Sequence, residues 1–217
     1  MLDAGCGTCV KSVQIARRGY RPVAVDFSQA VLEMAREVVE TEKFENSITL
    51  RREDITSLTF DDDTFDLVLS WGVLMHIPDL NLALSELTRV LKPGGYAVIG
   101  ENNMFSAYAV IRRLARRLLG HRAVKENRTD SGVEYWIETQ EGGLMVRQMD
   151  PKWLREYFEA SGFTLVDSFA GQLTELYART SNPFLKLIAY AANDTYFRFG
   201  GPPSVAYGNV FVFRKQP

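Results

Sequence analysis

Leu2-Asp3-Ala4-Gly5-Cys6-Gly7-Thr8 decides the fold, because it reads as a strand running directly into the start of a helix. Glycine lets a backbone turn tightly and approach a ligand where any side chain would collide. A helix N-terminus beyond such a turn offers free N–H groups and a partial positive charge, a setting that suits a carboxylate or phosphate. Asp26 follows nineteen positions after Gly7, closing the run Pro22-Val23-Ala24-Val25-Asp26. The run is short and apolar, as a buried parallel strand is, and an acid at this separation is placed to meet a ribose diol.

The flanking sequence repeats the pattern. Ser28 is an N-cap candidate, and Val31, Met34, Ala35, Val38 and Val39 recur at the spacing of one apolar helix face. Ile48 to Leu50 reads as a short strand ending near Asp54, and Phe65 to Ser70 as a stronger one after the turn-forming Asp61-Asp62-Asp63. Leu80, Ala83, Leu84, Leu87 and Leu91 mark a second helix, expected to run to Pro93-Gly94-Gly95, with a strand from Tyr96 to Ile99 beyond it. Further on, Asp150-Pro151 opens a helix with Trp153, Leu154, Tyr157 and Phe158 on its apolar face and Gly162 at its end. Phe163 to Val166 and Val210 to Phe213 read as closing strands. The alternation predicts an α/β fold: a doubly wound, mostly parallel sheet of seven strands, with its ligand beyond the strands' carboxyl ends.

Bulk composition narrows the function classes. The 217 residues suit one α/β domain with a core of its own. A formal net charge of −2 argues against a general nucleic-acid binder. No apolar run reaches bilayer-spanning length and no secretory signal opens the sequence. With two cysteines, a reducing, cytoplasmic setting is the expectation.

The stretches Leu-Asp-Ala-Gly-Cys-Gly-Thr (2–8), Val-Ala-Val-Asp-Phe-Ser (23–28), Arg-Glu-Asp-Ile (52–55), Phe-Asp-Leu-Val-Leu-Ser (65–70) and Arg-Val-Leu-Lys-Pro-Gly-Gly (89–95) resemble, in order and spacing, the motifs of class I S-adenosylmethionine-dependent methyltransferases. The resemblance covers about residues 1 to 101, which it makes the cofactor-binding half of a single domain spanning 1–217. It implies a Rossmann-like sheet whose last strand, at 210–213, is antiparallel, and S-adenosylmethionine as methyl donor. Asp3, Ala4, Gly5, Cys6 and Gly7 would line the cofactor's methionine end. Asp26 would hold the ribose hydroxyls with Phe27 against the adenine; Asp54 would accept from the adenine amino group with Ile55 packed on the ring. Ser70 and Trp71 would lie near the sulfonium. The segments 103–149 and 171–208, not needed for the sheet, are expected to be helical insertions on the acceptor side. The acceptor itself is expected to be a small molecule, lipid or glycan. Two departures stand out. Cys9 replaces the family's third glycine, which predicts altered packing or approach there. The family's first strand is preceded by a helix or two that help cover the cofactor, whereas Met1 here falls inside that strand; the expectation is a natural short form, a truncated form or a late start site, bearing on affinity more than on the fold.

Cys6-Gly7-Thr8-Cys9 is a C-x-x-C at a helix start, the pattern of a thiol–disulfide oxidoreductase, but no βα unit precedes it. A nicotinamide dehydrogenase needs glycine where Val10 stands. A metal site is not expected, since His76 and His121 are not at finger spacing with the cysteines. His76 and Glu101, each placed after a strand, are candidates for a general base; the plainer reading of His76 is that it hydrogen-bonds a neighbouring loop. Arg112, Arg113, Arg116, Arg117 and Arg122 alternate with Ile111, Leu114, Leu118 and Leu119. They read first as the solvated face of a lid helix, second as a weak membrane-surface contact over 111–122. Tyr135, Trp136, Tyr177, Tyr190, Tyr196, Phe197, Phe199 and Tyr207 are expected to pack the two extra segments, some of them lining an acceptor pocket. A binding protein of the same fold that has lost turnover is the competing class; the presence of Asp3, Asp26 and Asp54 weighs against it.

Overall fold

The computed structural model describes residues 1–118, 126–139 and 142–217. In chain order the strands are β1 (Leu2–Ala4), β2 (Val23–Asp26), β3 (Thr49–Arg52), β4 (Phe65–Trp71), β5 (Leu91–Asn102), β6 (Asn127–Thr129), β7 (Gly132–Thr139), β8 (Gly142–Met149), β9 (Phe163–Gln172) and β10 (Gly208–Lys215). The helices are α1 (Val10–Ala16), α2 (Gln29–Thr41), α3 (Leu80–Arg89), α4 (Ala107–Leu118), α5 (Pro151–Ala160), α6 (Leu176–Arg179) and α7 (Pro183–Arg198). The main sheet has seven strands in the order β3-β2-β1-β4-β5-β10-β9. The first five are mutually parallel, and β10 runs antiparallel to both its neighbours. The order reverses direction at β1, so the gap between the ends of β1 and β4 is the topological switch point where ligands of such sheets bind.

Alternation along β2 shows why helices cover both faces. Ala24 packs with Val13 and Ala16 of α1 and Ala35 and Val39 of α2, whereas its neighbour Val25 joins the larger core with α3 and α5. In that larger core the rings of Phe158 and Phe213 stack with centroids 4.2 Å apart.

Three local readings change. The buried line of α2 is Leu32, Ala35 and Val39, and Met34 is left exposed at the edge of the apolar arc. Helix α3 ends at Arg89, and Leu91 is already paired with Phe65 in the sheet. Pro93-Gly94-Gly95 sits in a break of register within β5, where a residue without an N–H costs no ladder bond. The segment 103–149 is only partly helical: α4 is followed by a separate antiparallel sheet, β6-β7-β8. Segment 171–208 carries α6 and α7.

Helix α4 also reverses the expected faces. Arg112 donates to Tyr135 Oη at 2.9 Å, and Arg113 to Gln148 Oε1 at 2.7 Å and to the Met104 carbonyl at 2.6 Å. These arginines tie the helix to the small sheet, while Ile111 and Leu114 face solvent. The side chains of Arg116, Arg117 and Leu118, and Leu119, His121 and Arg122 altogether, lie outside the described residues. Among the described residues no helix is long and apolar enough to cross a membrane.

Candidate functional site

After β1 the chain turns so sharply that the amides of Gly5 and Cys6 both donate to the Val25 carbonyl, at 2.9 and 2.8 Å. Gly5, Gly7 and Cys9 all take positive φ, +76°, +55° and +62°. A Cβ on Gly5 would fall inside the envelope of the Val73 side chain, whereas nothing lies within 4 Å of one on Gly7. Gly5→Ala should therefore lower folding stability by about 2–4 kcal/mol, from left-handed strain plus overpacking. Gly7→Ala should cost about 1–2 kcal/mol from strain alone. Urea denaturation midpoints of the two variants check the difference.

Cys9 keeps the left-handed backbone that a glycine would take there and buries its thiol against Val13 and Ala16. The departure from the family's glycine thus costs strain but leaves the turn in place. Both thiols are free. Their mutual hydrogen bond, together with burial, pushes Cys6 far above the usual thiol range. The same bond lowers Cys9, which is fully buried. A raised thiol beside a buried one is a poor exchange nucleophile, so the oxidoreductase reading loses its chemistry.

Asp26 links two turns. Its Oδ2 accepts from the Gly7 amide at 3.2 Å and its Oδ1 from the Ser28 amide at 3.0 Å. Asp3 is buried and accepts from Ser12 Oγ at 2.5 Å; burial raises its carboxyl, and the Ser12 bond and Lys11 oppose the rise. Lys11 is itself lowered by burial against the pull of Asp3, and its Nζ stands 4.4 Å from the centroid of the Trp71 ring. Asp54 Oδ1 accepts from the amide and hydroxyl of Thr56, at 2.8 and 2.7 Å, which leaves the turn rigid at the end of β3.

These groups converge on a cavity of about 570 Å³ at the switch point. Asp3, Gly5, Cys6, Gly7, Asp26, Phe27, Asp54, Ile55, Trp71 and His76 line it. Phe27 is 69% exposed at the rim. Ala4 and Ser70 do not line the cavity: both are fully buried beneath it, in the strands. Lys11, Glu53, Val73 and Leu144 also contribute and were not singled out from sequence. Lys11 was legible from its place in the first turn after the glycine loop. Leu144 arrives from β8, and no local signal couples it to the site.

His76 lies in the single 3₁₀ turn Leu74–His76, with Nδ1 2.8 Å from the Met145 carbonyl. A carbonyl only accepts, so Nδ1 carries the hydrogen and Nε2 holds the lone pair of the neutral ring. The turn is gripped from two sides. Glu101 Oε1 accepts from the Leu74 amide at 2.9 Å. Arg147 of β8, 2% exposed, donates to the carbonyls of Leu74, Ile77 and Pro78 at 3.0, 2.9 and 3.3 Å. Its charge is met by Glu134 at 2.7 Å.

Glu101 lines a second cavity of about 240 Å³ that shares Trp71 and Gly72 with the first. The two base candidates therefore stand in different cavities. Burial pushes the Glu101 carboxyl up to about 8, against the amides of Leu74, Val73 and Met75 and the charge of Arg147. The folded protein thus holds a proton that the unfolded chain releases near its ordinary value of 4.5. This group's contribution to stability is full below that value and is lost as pH rises through about 8. Denaturation midpoints should fall between about pH 5 and pH 8.5, and Glu101→Gln should flatten that fall.

Residues 2–99 match the family model described as a methyltransferase domain. A demethylmenaquinone methyltransferase of Tropheryma whipplei is 31% identical over 174 residues, covering 74% of this chain and 70% of that protein. One of Streptomyces avermitilis is 42% identical over 102 residues, 46% of this chain and 41% of its own length. The chain spans less than half the length of several of the curated relatives it matches. The crystal structure of a SAM-dependent methyltransferase from Methanosarcina mazei superposes with a TM-score of 0.67 over 99% of this chain and 91% of that one, at 19% identity. That likeness speaks to the fold.

Proposed function

Because the chain belongs to the class I S-adenosylmethionine-dependent methyltransferases, we propose that its larger cavity binds S-adenosylmethionine and that it methylates a small-molecule acceptor. The observation that carries this reading is the convergence of the Gly5–Gly7 turn, Asp3, Asp26 and Asp54 on one cavity at the switch point. The residues fit the group. Gly5 admits no side chain where the turn meets Val73, and Asp3 lies within β1, Asp26 closes β2 and Asp54 follows β3, three adjacent parallel strands.

When bound, S-adenosylmethionine supplies a methyl group already activated on its sulfonium. The chain's part is to hold, orient and keep water out. In this reading Asp26 accepts from the ribose hydroxyls while its turn contacts hold it still. Asp54 accepts from the adenine amino group, Ile55 packs on the ring and Phe27 closes over it. Asp3 faces the amino end of the methionine portion, and Lys11 offers a cation to its carboxylate. Trp71, between the two cavities, is nearest the acceptor. His76 shapes the wall and holds β8 against it. Segments 103–149 and 171–208 form the acceptor side, and relatives of this chain are named as demethylmenaquinone methyltransferases. Exposed Ile111 and Leu114 leave room for a membrane-surface contact by α4, with the apolar residues rather than the arginines leading. Isothermal titration calorimetry tests the reading: S-adenosylmethionine and S-adenosylhomocysteine should bind with Kd in the micromolar range, and no heat with either compound overturns it.

A further inference from the structure

We propose that this chain pairs with a second copy of itself across a two-fold axis, the two α7 helices running antiparallel with Leu187 of one protomer against the partner's Ile188. From Pro183 to Ala192 helix α7 carries one charged residue, Lys186, a composition that belongs to a covered helix. A polar anchor holds it at the surface instead. Asn193, 9% exposed, accepts from the amides of Leu173 and Thr174 at 2.8 and 3.3 Å. It donates to the carbonyls of Thr174 and Ala189 at 3.3 and 2.9 Å. Tyr190 stacks on Tyr177 with centroids 5.1 Å apart. These contacts set the rotation of the helix, so Ala189 and Asn193 face their own chain and the opposite side faces out.

On the outer side Phe184, Leu187, Ile188 and Ala191 recur at intervals of three and four, which puts them in one line along the helix. The first three are 67%, 64% and 46% exposed, and Leu185 and Tyr190 are exposed on the flanks. With about 150–250 Å² for a whole aromatic side chain, the line and its flanks offer about 500–600 Å² per copy. Two copies would bury just over about 1,000 Å², the size at which specific interfaces begin. An apolar patch of this extent marks an interaction surface.

A second copy matches this face in shape and in charge. The antiparallel register sets Phe184 over the partner's Ala191, a large side chain against a small one, and Leu185 beside the partner's Tyr190. The two-fold axis repeats each contact. Charge is absent from the middle of the line and present at its end, as in an interface with an apolar core and a polar rim. Asp194, paired with Arg198 at 3.1 Å, comes to the start of the partner's helix, where free N–H groups favour an anion. A lipid surface fits α7 less well. Helices that lie on membranes carry lysine and arginine on a solvated polar side. In α7 the side away from the apolar line is packed on its own chain through Ala189 and Asn193, and Arg198 is engaged with Asp194.

Sedimentation equilibrium on the full chain reads the pairing directly. Between about 1 and 200 µM the mass should rise from 24.5 kDa toward twice that value, as for an interface at the small end of the specific range. Leu187→Glu and Ile188→Lys should each raise the dimer's Kd at least about thirtyfold, the effect of losing a central apolar anchor. Both positions are exposed, so thermal melts at the lowest concentration should match the wild type. Mixing the two variants should restore a dimer, because the register sets the new carboxylate of one against the new ammonium of the other. A chain that stays monomeric to the highest concentration overturns the proposal. So does a dimer that both variants leave unchanged, or a mixture that stays monomeric. A monomer that cosediments with phosphatidylglycerol vesicles, and loses them in Leu187→Glu, gives α7 to a lipid surface and likewise overturns it.

Discussion

Asp26→Ala should weaken S-adenosylmethionine binding by at least about a hundredfold, the loss of two hydrogen bonds to a charged acceptor at about 1.5–3 kcal/mol each. The effect has two sources. The carboxylate is the proposed partner of the ribose hydroxyls, and it also holds the Gly7 and Ser28 amides. Removing it frees the glycine turn as well as the ligand contact. Asp26→Asn separates the sources, because the amide oxygen can still accept one backbone N–H while the charge is gone. Titration calorimetry on the wild type and both variants, with thermal melts run beside it, should rank alanine below asparagine below wild type. Unchanged affinity in Asp26→Ala would remove Asp26 from the cofactor's site.

Arg147→Met should destabilise the fold by about 3–5 kcal/mol, the usual cost of breaking a buried ion pair by removing one partner. The guanidinium is 2% exposed, and its loss leaves Glu134 unpaired and three carbonyls of the 74–78 segment without a donor. Adding Glu134→Leu should restore part of the loss, since it removes the stranded charge but not the stranded carbonyls. Urea denaturation of the two single variants and the double variant gives the coupling energy. Additive effects would show that the pair does not act as a unit.

The half of the fold built on short-range patterns was legible before any coordinates. Val23–Asp26, Phe65–Trp71 and the capped helices after Ser28 and Asp150 announce themselves through periodicity and capping chemistry. The small sheet did not, and the reason is physical. Met145 to Met149 of β8 are buried without alternation, because one face meets the 3₁₀ turn and the other meets α4 and the main core, so no period-two signal survives. The inverted faces of α4 have a similar cause. Arg112 and Arg113 find acceptors on β7 and β8, and a reading of the helix alone assigns them to water. Within the site, the acids at strand ends follow from spacing. The separation of His76 and Glu101 into two cavities depends on how the turn between β4 and α3 folds back, which sequence distance does not encode.

The grip of Arg147 on the turn beside Gly5 bears on how the proposed specificity could be re-engineered. Segment 103–149 looks like an exchangeable module, since it forms a sheet of its own between β5 and α5. Yet Val73, at the head of that turn, is the residue that crowds Gly5, and the turn is fastened by a side chain belonging to the module. Grafting another segment at 103–149 would unfasten the larger cavity, the proposed donor site, along with the proposed acceptor side. A working chimera needs an arginine at the register of Arg147, with a carboxylate opposite, or the graft will loosen the turn that walls the larger cavity.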